Sequence, residues 1–267
     1  MASSYLKNCF GDSVKIGGYA SCGFGGIFNK KVCDALTNGE NTNSNFTEVD
    51  ERQLNFIRFF HDFIKIVKEE NLPLDFYSYH SYDTVESTVK MQKYAEDILH
   101  EFGLENVEIH LNEWNPTRGR EKLGSSEAAA NAAAMMCAMH NTKVDVMCYY
   151  DARLSISDET GFFNTFTLEP LSTYYSFKAF GKLYEMGTQV ECNCDNPFVY
   201  TLAATNGSKN GILISNIGDD TEISLNCNAD LKVYLIDKEH TMTQIKVNLQ
   251  SFKLEKYKVL YIEETIN

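Results

Sequence analysis

Glu113 lies beside the only tryptophan of the chain, Trp114, in the run Leu111-Asn112-Glu113-Trp114-Asn115. Three other short runs mix rings with polar groups in the same way: Gly17-Gly18-Tyr19-Ala20, Tyr79-His80-Ser81-Tyr82-Asp83 and Tyr149-Tyr150-Asp151. Ring faces stack on the C–H faces of a pyranose, while phenols, amides and carboxylates meet its hydroxyls. The chemistry that suits these residue types is carbohydrate recognition, with Glu113 as its focal point. A plain structural reading stands beside it, in which Glu113 makes an ion pair, Trp114 fills a core and His80 is a hydrogen-bonded core histidine. Cys192-Asn193-Cys194 has no second ligand pair at zinc spacing nearby, so neither a metal nor a cofactor is expected.

The elements that must position these residues follow from periodicity. Val14–Tyr19, Leu74–Tyr79, Val107–Leu111 and Val144–Tyr150 read as strands, the first ending in a glycine-rich turn. Leu54, Ile57, Phe60, Phe63, Ile64 and Val67 recur at three- and four-residue steps and mark a helix over about 50–69. A second helix is expected over 84–102 with Gly103 as its stop, a third, rich in Ala and Met, over 128–140 with Ser125 or Ser126 as N-cap, and a fourth over 171–186 before Gly187. The polar tract 37–44 reads as a loop. Strand and helix alternate four times, which predicts a parallel sheet covered by helices. From about Gln189 the texture changes to short alternating stretches, 199–202, 211–215, 222–225, 232–236, 243–247 and 259–262, with Asn206-Gly207 and Gly218-Asp219 as hairpin-type turns. The expected organisation is thus an α/β part over 1–188, with an all-β sandwich over 189–267.

Composition bounds the partners. The 267 residues are 43% hydrophobic, enough for one large core or two smaller ones. A net charge of −13 argues against a nucleic-acid partner, which would need clustered Lys and Arg. No window approaches the roughly eighteen apolar residues of a membrane span, and the N-terminus carries no signal-like apolar stretch, so a cytoplasmic setting is expected. The eight cysteines, without a CxxC pair, read as reduced thiols.

The ordered set Gly17-Gly18-Tyr19-Ala20, Phe76-Tyr77-Ser78-Tyr79-His80-Ser81-Tyr82, Leu111-Asn112-Glu113-Trp114-Asn115 and Glu169-Pro170-Leu171-Ser172-Thr173-Tyr174-Tyr175-Ser176-Phe177 resembles the C-terminal half of clan A glycoside hydrolases. Family 39, the β-xylosidases and their relatives, is the nearest likeness. There a Gly-Gly-Pro-Ala turn ends the fifth strand of a (β/α)8 TIM barrel, a Ser-x-His-x-Tyr element the sixth, and a Thr-Glu-Trp-Asn element with the nucleophile the seventh. A β-sandwich follows the barrel. The resemblance implies Glu113 as nucleophile of a retaining β-glycosidase, His80 and Tyr82 as groups that bind the sugar or orient the nucleophile, and Asn112 and Trp114 as supports of that site. It places Tyr150 at the sugar-binding edge. Two departures stand out: Tyr19 replaces the proline of the first turn, and Tyr149-Tyr150 stands where many members carry a tryptophan.

Retaining hydrolysis needs two carboxyl groups about 5–5.5 Å apart. In the clan the acid/base is the Glu of an Asn-Glu pair on the fourth strand, and the only Asn-Glu here is Asn112-Glu113. One helix, one strand and one more helix separate Glu113 from the β segment, which puts it on the seventh strand and leaves the acid/base unaccounted for. Glu40, Glu48 and Asp151 fall in expected loops that do not match the acid/base motif. The expectation is the C-terminal part of a retaining glycosidase, inactive alone, with carbohydrate as substrate and either a second copy or an N-terminal barrel half as partner. The alternatives are a non-catalytic carbohydrate-binding or assembly protein built on a half-barrel, and a purely structural domain. With half a barrel open, Ile16, Phe76, Ser78, Ile109 and Met147 are the residues expected to face inward.

Overall fold

The structure, a computed structural model, describes residues 2–28, 48–154, 159–225, 231–248 and 250–265. The tract 37–44 and Glu40, Cys33 and Cys227 lie outside the described residues. The chain forms two compact units: the described residues within 1–82, 86–114 and 142–149, and those within 83–85, 115–141 and 150–267. No described helix is long and apolar enough to cross a membrane.

The first unit is built on four parallel strands, β1 (Gly17–Ser21), β2 (Phe76–Ser81), β3 (Glu108–Trp114) and β4 (Val144–Tyr149), in the order β1-β2-β3-β4. Helix α2 (Glu48–Glu69) joins the first pair and α3 (Val85–Glu101) the second. Glu48 therefore opens a helix rather than lying in a loop. Along the chain α4 (Ser126–His140) follows β3 and α5 (Ser172–Met186) follows β4, four strand–helix alternations consistent with part of a β/α barrel, and both of these helices belong to the second unit. On α2 the buried positions Leu54, Ile57, Phe60, Ile64 and Val67 follow the expected apolar stripe. Tyr77 stacks on Phe60 at 4.4 Å, and the Tyr79 hydroxyl donates to Gln92 Oε1 of α3 at 2.9 Å. These contacts assign the odd positions of β2 to the helices and leave Phe76, Ser78 and His80 on the opposite face.

That alternation corrects two of the inward positions. Ile109 and Leu111 are buried, and Met147 is the cross-strand partner of Leu111, so all three lie on the helix-facing side. The other face carries Phe76 stacked on His110 at 4.3 Å, together with Val146. An N-terminal helix, α1 (Ala2–Phe10), was not expected; Ala2, Tyr5, Leu6, Cys9 and Phe10 recur at helical spacing, yet the helix buries no residue. It is tied by Lys7, which reaches Asp75 at 2.9 Å and the Val14 carbonyl at 3.1 Å. The Gly17-Gly18 pair opens β1 instead of ending a strand, and a register irregularity follows Gly17. Gly18 sits at φ +147°, where a side chain would be strained. Tyr19 falls within β1, packs edge-on to Phe59 and Phe63 at 4.6 and 5.3 Å, and has its phenol pushed up to about 12 by burial.

The second unit is an antiparallel sheet of six strands, β5 (Thr188–Val190), β6 (Val199–Thr205), β7 (Lys209–Asn216), β9 (Leu231–Ile236), β10 (Thr241–Ile245) and β12 (Lys258–Thr265), ordered β10-β9-β12-β7-β6-β5. A two-stranded ribbon, β8 (Thr221–Ile223) with β11 (Phe252–Leu254), completes it. Both faces of the sheet are covered. Val259 and Tyr261 turn toward α4 and α5, while Leu260 and Ile262 turn toward Leu254 of the ribbon. Alanines on α4 let its backbone come so near that Ser215 Oγ of β7 donates to the Ala130 carbonyl at 2.7 Å, a buried contact. Ser125 caps α4 through the Ala128 N–H, and Gly187 ends α5 at φ +84°. Asn206-Gly207 makes the β6–β7 hairpin, but Gly218-Asp219 does not join paired strands. It is a corner between sheet and ribbon, formed by the buried Asn216 side chain, which accepts from the Gly218 N–H and donates to the Asp219 and Leu254 carbonyls.

Candidate functional site

The position of Glu113 depends on an irregularity between β2 and β3. Tyr79 pairs with Leu111 but His80 pairs with Glu113, so Asn112 is one residue more than its partner strand supplies. Strict alternation from Leu111 would send Glu113 to the helix side. The bulge instead re-aims it to the face that carries His80. After it Trp114 pairs with Ser81, and both return to the buried side. The Ser81 and Thr88 hydroxyls meet at 2.6 Å, which braces the end of β2 against α3.

At this strand end the Tyr82 hydroxyl donates to Glu113 Oε2 at 2.6 Å, and His80 Nδ1 stands 3.4 Å from the same oxygen. The Glu113 side chain is 35% exposed and that of His80 17%, so solvent reaches the carboxylate from one side. Trp114 is fully buried and meets the Tyr149 ring edge-on at 5.0 Å, behind the strand rather than beside the carboxylate. Asn112 is half-buried, and its Oδ1 has no hydrogen-bond partner among the described residues. Glu113, His80 and Tyr82 are thus brought together, with Asn112 as the bulge and Trp114 as backing. Such a carboxylate is held in direction by one short hydrogen bond and keeps an accessible side.

Tyr150 belongs to the second unit, where it is exposed and its carbonyl accepts from Asn115 Nδ2 at 2.9 Å. Its hydroxyl accepts from Arg153 Nη2 at 2.9 Å, and the Arg153 guanidinium lies 5.2 Å from its ring centroid. Asp151 is buried, and its oxygens accept from Arg120 Nη2, from Arg153 Nε and from the Arg153 N–H. Its lone pairs are therefore occupied by cations and an amide. The sequence reading missed Arg120 and Arg153 and gave Asn115, which it placed in the Glu113 run, no role of its own. The signal available was that three of only five arginines, Arg118, Arg120 and Arg153, fall in the loops after β3 and β4. Among the described residues no cluster of three or more His, Cys, Asp or Glu could hold a metal ion.

No family model matches the sequence, and no curated protein matches it. Solved structures do. A glucosidase from Croceicoccus marinus superposes with a TM-score of 0.68 at 18% identity, over 100% of this chain and 63% of that one. A family 39 β-xylosidase from Caulobacter crescentus gives 0.58 at 14% identity, over 82% and 60%. A family 44 xyloglucanase from Paenibacillus polymyxa gives 0.61 at 9% identity, over 99% and 59%. The chain therefore spans less than two thirds of the length of each. The likeness extends beyond family 39 to several families, and what this chain shares with these glycoside hydrolases is their fold.

Proposed function

We propose that the chain is the nucleophile-bearing part of a retaining β-glycoside hydrolase acting on β-xylosides or a related plant-wall glycan, with Glu113 as the attacking carboxylate. The observation that carries this reading is the Tyr82–Glu113–His80 arrangement, aimed by the Asn112 bulge at the C-terminal end of a parallel strand. Functional groups of β/α barrels sit at that end of the strands. Tyr82 orients the carboxylate, His80 binds the sugar or shares that task, Asn112 and Trp114 support the strand end, and Tyr150 contributes to the sugar-binding edge. Asp151, whose Oδ2 is ion-paired to Arg120 and Arg153 and whose Oδ1 accepts from the Arg153 N–H, does not serve as proton donor. The acid/base is assigned to the complementary half of a full barrel, so this chain alone gives only trace turnover of ordinary β-glycosides.

A glycoside whose leaving group departs without a proton isolates the first chemical step from the acid/base. Incubation with dinitrophenyl 2-deoxy-2-fluoro-β-xyloside should leave a fluoroxylosyl ester on Glu113, identified by peptide mass spectrometry, and Glu113→Gln should take no label. A label on another residue, or an equal label on the Gln variant, would refute the assignment. A non-catalytic carbohydrate-binding protein would bind the reagent without covalent capture.

A further inference from the structure

We propose that Arg120 and Arg153 form a binding site for an oxyanion carried on a glycan, either a uronate carboxylate or a sulfate ester. The inference rests on the glycan reading above and deepens it by naming a substrate class. Both guanidinium groups converge on Oδ2 of Asp151, Arg120 through Nη2 at 3.1 Å and Arg153 through Nε at 2.7 Å and Nη2 at 2.5 Å. The Asp151 side chain is 9% exposed, whereas those of Arg120 and Arg153 are 49% and 58% exposed. Each guanidinium is therefore fixed along its inner edge and open to solvent along its outer one.

Two features exceed what a loop tie requires. Arg153 alone supplies Asp151 with a guanidinium fork and a backbone N–H, so Arg120 is a second cation on a carboxylate already satisfied. Among the described residues the cluster thus holds one unmatched positive charge, in a chain whose net charge is −13. The charge is also carried by the side chain suited to planar oxyanions: guanidinium N–H groups are set in a rigid fork that pairs with carboxylate or sulfate oxygens, unlike the point charge of lysine. Because Asp151 already orders both side chains, little rotamer freedom remains to be lost on binding. The Tyr150 ring, 40% exposed beside Arg153, offers an aromatic surface for the sugar that bears the anion.

Calorimetric titration of the full chain at low ionic strength with three probes tests the proposal: neutral xylotriose, xylotriose with a glucuronate branch, and xylotriose with a sulfate ester. At least one charged probe should bind about tenfold more tightly than the neutral one, and added salt should erode that preference. Whichever charged probe carries the preference identifies the oxyanion. Arg153→Gln removes the main partner of buried Asp151 and can disturb the loop, so Arg120→Gln is the deciding variant. It should keep the melting temperature and the affinity for xylotriose but lose most of the preference for charge. Equal affinity for all three probes, or a preference unchanged in Arg120→Gln, overturns the oxyanion site and leaves the glycan reading intact. Binding of none of the three overturns both.

Discussion

A carboxylate that attacks an anomeric carbon has to be fixed in direction without being enclosed, and the surroundings of Glu113 meet both conditions. Tyr82 donates to one oxygen at 2.6 Å from an exposed position, so the contact contributes to orientation more than to the core. A hydrogen bond to a charged group contributes about 1.5–3 kcal/mol. Tyr82→Phe should therefore slow fluoroglycosyl labelling of Glu113 by about ten- to a hundredfold, while the melting temperature stays near that of the wild type. An unchanged labelling rate would remove Tyr82 from the site. Glu113, His80 and Tyr82 were legible because their types cluster at the ends of apolar runs. The Asn112 bulge was not, since register belongs to a pair of strands and one strand's sequence does not state it. Arg120 and Arg153 stayed hidden for a related reason: they meet through Asp151, 31 and 2 residues away along the chain, and no local pattern links them.

At the level of elements, what could be read from the chain was what periodicity encodes. The four strand–helix alternations and the change of texture near Gln189 correspond to the observed parallel and antiparallel sheets. The side that each residue faces was harder, because β3 and β4 mix apolar residues on both sides; Ile109 and Met147 turn to the helices while Val146 does not. Of the three-residue strands, β8 overlaps the expected stretch 222–225, whereas β11 was not read. The α2–α3 contact carries a pH dependence that periodicity could not suggest. His61 of α2 lies 2.7 Å from the Tyr94 hydroxyl of α3, and burial lowers its pKa from 6.5, partly offset by Glu101 and Asp62. A base with a depressed folded-state pKa takes up its proton first in the unfolded chain. The stability linked to neutral His61 is present above about pH 6.5 and is lost as the pH falls below that value. Urea unfolding at pH 7.5 and 5.5 should show a larger loss for the wild type than for His61→Gln, which holds a polar group but no titrating one. Equal losses for the two proteins would exclude His61 as the cause.

For the whole molecule, the exposed parts of the parallel sheet set the behaviour in solution. Among the described residues β1 pairs only with β2 and β4 only with β3, so the outer edges of both carry no strand partner. The face turned from the helices bears Phe76 and His110, with Val146 39% exposed and Cys148 exposed. Unpaired N–H and C=O groups along an edge are templates for another strand, and apolar side chains beside them add a driving force. Two copies related by a twofold axis would place like edges together and cover this face with a self-complementary surface. The purified chain should therefore scatter light with a mass near twice 30.3 kDa at concentrations of tens of micromolar, falling toward 30.3 kDa on dilution. Val146→Lys should shift the balance toward the monomer, because an ammonium buried without a partner costs several kcal/mol. The same substitution should leave the antiparallel unit intact, since Val146 belongs to the other compact unit. A mass of 30.3 kDa at every concentration, with no uptake of a hydrophobic dye, would show that the edges and the open face are covered within one chain.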